Sequence, residues 1–110
     1  MSNLKRVWAR GEHGNKTSAD IDEWRIGRIK QWDDINIGGT IVIQNGRDWI
    51  QLEGDAQAVD DMLRELDDDP FHDDFEVLHD ESISQRRLET VLTYDEDRSP
   101  LTVDIMSHCL

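Results

Sequence analysis

The sequence predicts an α+β fold, with two helices laid on one face of a mostly antiparallel five-stranded sheet. Three observations carry this. Thr40-Ile41-Val42-Ile43 and Trp49-Ile50-Gln51-Leu52 flank Asn45-Gly46. Asn-Gly between two such runs signals a hairpin, because a type I′ turn needs positive φ at both central residues. Stretches with helical spacing stand before and after that hairpin. Short apolar runs near both ends supply further strands, which the hairpin needs because alone it is marginal in water.

The bulk numbers bound the function. A chain of 110 residues, 36% hydrophobic and 34% charged, suits one domain with a small core. The formal net charge of −13 repels phosphate backbones and anionic membranes. It argues against direct nucleic-acid or membrane binding and for a basic partner or plain solubility. A single cysteine, Cys109, forms no intramolecular disulfide. No run reaches membrane-spanning length and no signal-peptide core is evident, so a soluble cytoplasmic protein is expected.

The elements follow in order. Residues 4–9, with Val7 and Trp8, read as the first strand. The loop 10–17 invites a phosphate-loop reading, but Asn15 stands where that motif needs glycine before the lysine, and Glu12 adds a negative charge. An ordinary glycine-rich connection is the better account. Ser18 is the expected N-cap of a helix over 19–32, with Asp20 and Asp22 at the positive end of its dipole. Ile21, Trp24, Arg25, Arg28, Ile29 and Trp32 share one side of it, and Gly27 weakens its middle. The hairpin follows. Asp55 caps a second helix over 56–67, whose apolar stripe is Val59, Met62, Leu63 and Leu66. Asp67-Asp68-Asp69-Pro70 stops it. Residues 75–78 make a fourth strand, 81–87 a polar connection and 88–94 a fifth strand.

This order, βαββαβ(β), is the ferredoxin-like arrangement, with the first and third strands adjacent at the centre. In the register assumed here, Trp8 and Ile50 both face the helices. Val7, Val42 and Trp49 then lie on the opposite face. A tryptophan there marks a covered or contacted surface, the cover being the tail 96–110 or a second copy of the chain. Residues 1–95 are read as the domain and 96–110 as that tail.

Four blocks narrow the order of elements to a family. Ile37-Gly38-Gly39, Ile50-Gln51-Leu52-Glu53-Gly54, Asp69-Pro70-Phe71-His72 and Ile83-Ser84-Gln85-Arg86-Arg87-Leu88 resemble the successive signatures of BLUF domains, blue-light sensors that hold FAD between their two helices. The resemblance covers about residues 4–94. It implies that the photoactive tyrosine falls on Trp8 and the flavin-binding asparagine on Trp32. The hydrogen-bond-switching glutamine falls on Ile50, the arginine of the third block on Phe71, and the fifth-strand tryptophan and methionine on Val91 and Thr93. Gln51 is one residue late, and a one-residue offset in a strand points a side chain to the other face. Each indole offers one donor and no acceptor. The slot is therefore expected to be filled by protein, with no cofactor.

The remaining features read blandly. His72, His79, His108 and Cys109 match no paired metal-ligand spacing. Asp67, Asp68, Asp69, Asp73 and Asp74 lack the glycine and terminal glutamate of a calcium loop, and form a solvated turn or a docking patch for a basic partner. Arg86-Arg87 reads as a salt-bridged edge rather than a phosphate site. No nucleophile–base pair supports an enzyme. The expected function is a BLUF-like regulatory or protein-interaction module without flavin chemistry. Its interaction surface is expected at Val42, Trp49, Asp68, Asp73 and Asp74, with a homodimer through the outer sheet face as one form. The alternatives are an FAD photoreceptor with an unusual pocket and a small-ligand sensor with a remodelled cavity.

Overall fold

The computed structural model describes residues 3–95. The expectations for the tail 96–110, including His108 and Cys109, lie outside the described residues. Seven elements follow in order: β1 (Leu4–Glu12), α1 (Ser18–Asp34), β2 (Gly38–Gln44), β3 (Arg47–Asp55), α2 (Ala56–Asp67), β4 (Asp74–Ile83) and β5 (Val91–Asp95). The sheet order is β4-β1-β3-β2-β5. Among the described residues only the β2–β5 pair is parallel, and the β1–β3, β1–β4 and β2–β3 pairs are antiparallel. This is the expected ferredoxin-like α+β fold with β5 added at one edge.

The hairpin forms as read. Asn45 and Gly46 take φ of 49° and 80°, the left-handed values that a type I′ turn requires. Helix α2 begins at Asp55, whose carboxylate accepts from the Ala58 N–H. Helix α1 is capped one residue earlier than expected. Thr17 accepts from the Asp20 N–H, and Asp20 accepts from the Thr17 N–H, closing a capping box. Thr17→Ala is expected to cost about 1 kcal/mol in urea denaturation, the usual worth of such a cap. An unchanged midpoint would show that tertiary packing alone sets this helix end.

Strands β1 and β4 run further than their apolar content suggested. Strand β4 reaches Ile83 because β1 is long enough to pair with it throughout, with a bulge where Leu78 has no partner between Trp8↔His79 and Ala9↔Val77. Strand β5 begins at Val91 rather than at Leu88, because the Arg87 and Leu88 N–H groups donate to the Glu53 carboxylate instead of a ladder.

The register also corrects the assignment of faces. Val7 stands opposite Leu52, Ala9 opposite Ile50, and Trp8 opposite Gln51. Val7 and Ala9 therefore point to the helices and join the main core with Trp32, Ile37, Ile41, Ile50, Leu52, Val59, Met62 and Leu66. Trp8 points the other way, into a second cluster with Val42, Trp49 and the half-buried Leu78. The expectation that Trp8 faces the helices beside Ile50, and Val7 the outer side, is wrong by one residue of pleat. Nothing in the short run Val7-Trp8-Ala9 marks which alternation is buried, since both phases are apolar.

Candidate functional site

In the family that the four blocks resemble, the gap between the helices is the functional slot. Its floor is the inner face of the sheet. There Ile50 is fully buried and presents only methyl and methylene groups. The β1 residue beside it is Ala9, which carries no hydrogen-bonding group in its side chain. Trp32 enters from the last turn of α1 with no exposed surface. It belongs to the main core, and its Nε1–H is buried with no acceptor among the described residues.

Nearer the surface the gap is crossed by polar ties. Arg28 of α1 donates from Nη2 to Asp69 at 2.5 Å and from Nη1 to Glu65 of α2 at 2.9 Å. Gln31 Nε2 donates to the same Glu65 oxygen at 2.9 Å. Trp24 donates from Nε1 to Asp69 at 2.8 Å, and its ring lies parallel to Phe71 with centroids 4.5 Å apart. Burial alone would raise the Asp69 pKa. Hydrogen bonds from Arg28, the Phe71 N–H and Trp24 outweigh it and hold this carboxylate below its ordinary value. Outside these ties lies an open groove of about 800 Å³, lined by Lys16, Asp20, Glu23, Trp24, Gly27, Arg28, Gln31, Glu65 and Phe71.

The other residues singled out by sequence fall in several places. Val91 packs against the main core, and Thr93 Oγ1 accepts from Arg25 at 3.3 Å, so both face α1 as the parity predicts. Gln51 lies on the outer side with Trp8. Val42 and Trp49 are buried, at 0% and 3% exposure, so they are packed positions rather than an open surface. Asp68, Asp73 and Asp74 are exposed. They carry no salt bridge among the described residues. Arg86 is not the salt-bridged edge expected: its guanidinium donates to the carbonyl oxygens of Leu88 and Asn36. Among the described residues no group of three or more His, Cys, Asp or Glu is arranged to hold a metal ion. Among the described residues no helix is long and apolar enough to cross a membrane.

Two buried acidic residues went unnoticed in the sequence. Glu53 has no exposed side-chain surface and binds Arg6 Nε at 2.6 Å. Asp48 is likewise buried and lies between His13 Nδ1 at 2.9 Å and His72 Nε2 at 2.7 Å. The signal for Asp48 was present, because positions 48, 50 and 52 share a strand face. A carboxylate on the face of Ile50 and Leu52 requires buried partners.

Comparisons with known proteins agree with this fold. Three solved structures superpose on the chain at 19–22% identity, a level that speaks to fold alone. A bacterial light-regulated adenylyl cyclase matches with a TM-score of 0.79, at 22% identity, over 96% of this chain and 32% of its own. BlrP1 of Klebsiella pneumoniae, in a calcium and cy-diGMP complex, matches at 0.77 and 19% identity over 94% and 28%. BlrB, a BLUF protein in its dark state, matches at 0.75 and 19% identity over 99% and 96%. The chain thus spans about a third of the first two proteins and nearly all of the third. A comparison with curated proteins finds no match. The family model for BLUF, sensors of blue-light using FAD, matches residues 15–92, and with the fold and the four sequence blocks in agreement, the chain belongs to the BLUF family.

Proposed function

We propose that this BLUF domain regulates a protein partner without binding flavin. The observation that carries the reading is Trp32. An indole with no exposed surface fills the inner end of the gap between α1 and the sheet, within the main core. Flavin needs partners for its ring carbonyls and nitrogens. Ile50 and Ala9 supply none, and Trp32 has one donor and no acceptor. Trp24, Phe71 and the Arg28–Asp69 pair would also have to separate before a tricyclic ring could enter. These residues do not fit FAD.

The family is one of sensory rather than catalytic domains, and the partner is expected to be a protein. The exposed carboxylates of Asp68, Asp73 and Asp74, on a chain of net charge −13, favour one with a basic surface.

The test is to purify the full chain with excess FAD and record its visible spectrum before and after blue light. A colourless protein with no light-induced change is the expected result. Stoichiometric yellow colour with a reversible red shift overturns the reading. A gain-of-binding variant sharpens the test. Because Trp8 faces away from the helices, a phenol has to be supplied at Ala9. Ala9→Tyr, Ile50→Gln and Trp32→Asn together are expected to raise FAD retention above that of the natural chain.

A further inference from the structure

At one end of the inner face of the sheet, Asp48 meets two imidazoles. His13, from the loop after β1, and His72, from the turn after α2, each direct one ring nitrogen at this carboxylate. All three side chains are at most 1% exposed. Strand β1 gives them room through Gly11. A Cβ there would stand 2.4 Å from the His72 ring and 2.7 Å from Asp48 Oδ2.

Counting protons assigns the charges. An ionised carboxylate only accepts, so His13 Nδ1 and His72 Nε2 both carry hydrogen. The remaining nitrogen of His13, Nε2, is buried with no partner among the described residues. A proton there would be an unsatisfied charged donor, so His13 is the neutral Nδ1–H tautomer. The remaining nitrogen of His72, Nδ1, faces the Leu66 carbonyl oxygen at 3.3 Å. A carbonyl only accepts, so this nitrogen also carries hydrogen and His72 is an imidazolium. The cluster then holds one negative charge, one positive charge and one neutral ring.

We propose that His72 and Asp48 form a proton-dependent latch that holds the turn 69–72 on the sheet and so sets the wall of the groove between the helices. Three residues of this turn tie it to α1 and to the sheet. Asp69 receives Trp24 and Arg28 of α1, Phe71 stacks on Trp24, and His72 reaches down to Asp48. When His72 loses its second proton, the bond to Leu66 goes and Asp48 is left as a buried anion between two neutral rings. The turn then lifts and the groove changes shape. The latch is independent of whether flavin binds.

Every element packed around His72 bears on this balance. Asp48 of β3 is the anion facing it. His13 shares that carboxylate, Asp69 adds negative charge from the turn, and Arg28 of α1 offsets Asp69. Helix α2 contributes the Leu66 carbonyl, β4 the Phe75 ring at 5.5 Å, and α1 the Trp24 ring edge-on at 5.2 Å. Burial pushes the His72 pKa down. The hydrogen bond and charge of Asp48, the Leu66 carbonyl and Asp69 outweigh it, so the value lies above the ordinary 6.5. Burial likewise works against the Asp48 carboxylate, and the two imidazoles still hold its pKa below 3.8. A raised folded-state pKa means that the His72 contribution is complete below 6.5 and disappears as pH rises through the folded value.

Two measurements on the full chain test the latch between about pH 5 and about pH 9. Nitrogen-15 spectra of the histidine rings should show His72 protonated at both nitrogens above pH 6.5. Tryptophan emission, taken as the difference between the natural chain and Trp24→Phe, should change with the same midpoint, because an imidazolium beside an indole quenches it. In denaturant titrations the natural chain should lose stability towards high pH, and His72→Gln should lose that slope. A His72 midpoint at or below 6.5 overturns the proposal, as does a His72→Gln variant that keeps the natural pH slope. A Trp24 signal that stays constant while His72 titrates overturns the link to the groove. Should His72→Gln not fold, the spectra of the natural chain decide.

Discussion

Replacing Glu53 by alanine is expected to cost about 3–5 kcal/mol, the range seen when one member of a buried ion pair is removed. The side chain is fully buried and makes three bonds at once. Arg6 Nε lies 2.6 Å from Oε1, while the Arg87 and Leu88 N–H groups lie 2.8 and 2.9 Å from Oε2. Alanine leaves two backbone donors without acceptors and a guanidinium with only its second partner, Glu81. That residual pair places the loss towards the lower end of the range. The loop before β5 is pinned by Glu53, so hydrogen exchange should quicken in residues 91–95 more than in β1 or β3. The charge adds a pH signature. Burial would raise the Glu53 pKa, but the Leu88 and Arg87 N–H groups and Arg6 lower it below the ordinary 4.5. Its contribution is therefore present above 4.5 and lost as pH falls through the folded value. A loss under about 1 kcal/mol, with β5 exchange unchanged, would show that the pin is dispensable.

Trp32→Ala carries an expected loss of similar size, about 3–5 kcal/mol, because it removes the largest side chain of the main core and leaves a cavity in the cluster that holds Ile50, Val59 and Met62. The contrast with Trp32→Phe is the informative part. The indole N–H is buried without an acceptor, an arrangement that costs about 1–3 kcal/mol. Phenylalanine gives up some packing but also removes that unpaired donor, so the two changes offset and the net effect stays within about 1 kcal/mol. Chemical denaturation of the two variants checks this. Equal, large losses in both would mean that the N–H is satisfied in solution, by water or by a bound group with an acceptor at the inner end of the slot. The pair of variants therefore also probes the reading that protein alone fills the slot.

How the chain's function reads depends on which of these facts were open to inspection before folding. The hairpin was, because Asn45-Gly46 between β-branched and aromatic runs leaves the backbone one economical conformation. Helix α2 was, because Val59, Met62 and Leu66 recur at helical spacing between Asp55 and Pro70. Trp32 was readable as a bulky core residue, since the glycines and strands around it place the end of α1 over the sheet. The four blocks were readable as a family signature without any coordinates.

Other features depend on contacts between residues far apart in the chain. Val7-Trp8-Ala9 is apolar in both phases of the pleat, so only the pairing of Ala9 with Ile50 decides that Trp8 faces outward. Helix α1 shows the same limit. Spacing puts Arg28 along the margin of the apolar side of α1, but its partners Asp69 and Glu65 stand 41 and 37 positions away. Leu88 could have continued β5, but its N–H was claimed by Glu53, 35 positions earlier. The His13–Asp48–His72 cluster joins three separate segments. Its parity was visible at Asp48 alone, and its partners were not. Local propensity and periodicity determine which elements form, because they act over a few residues. Strand register, the pairing of buried charges and the closure of the gap between the helices depend on which distant groups meet as water is excluded, and those only the tertiary structure decides.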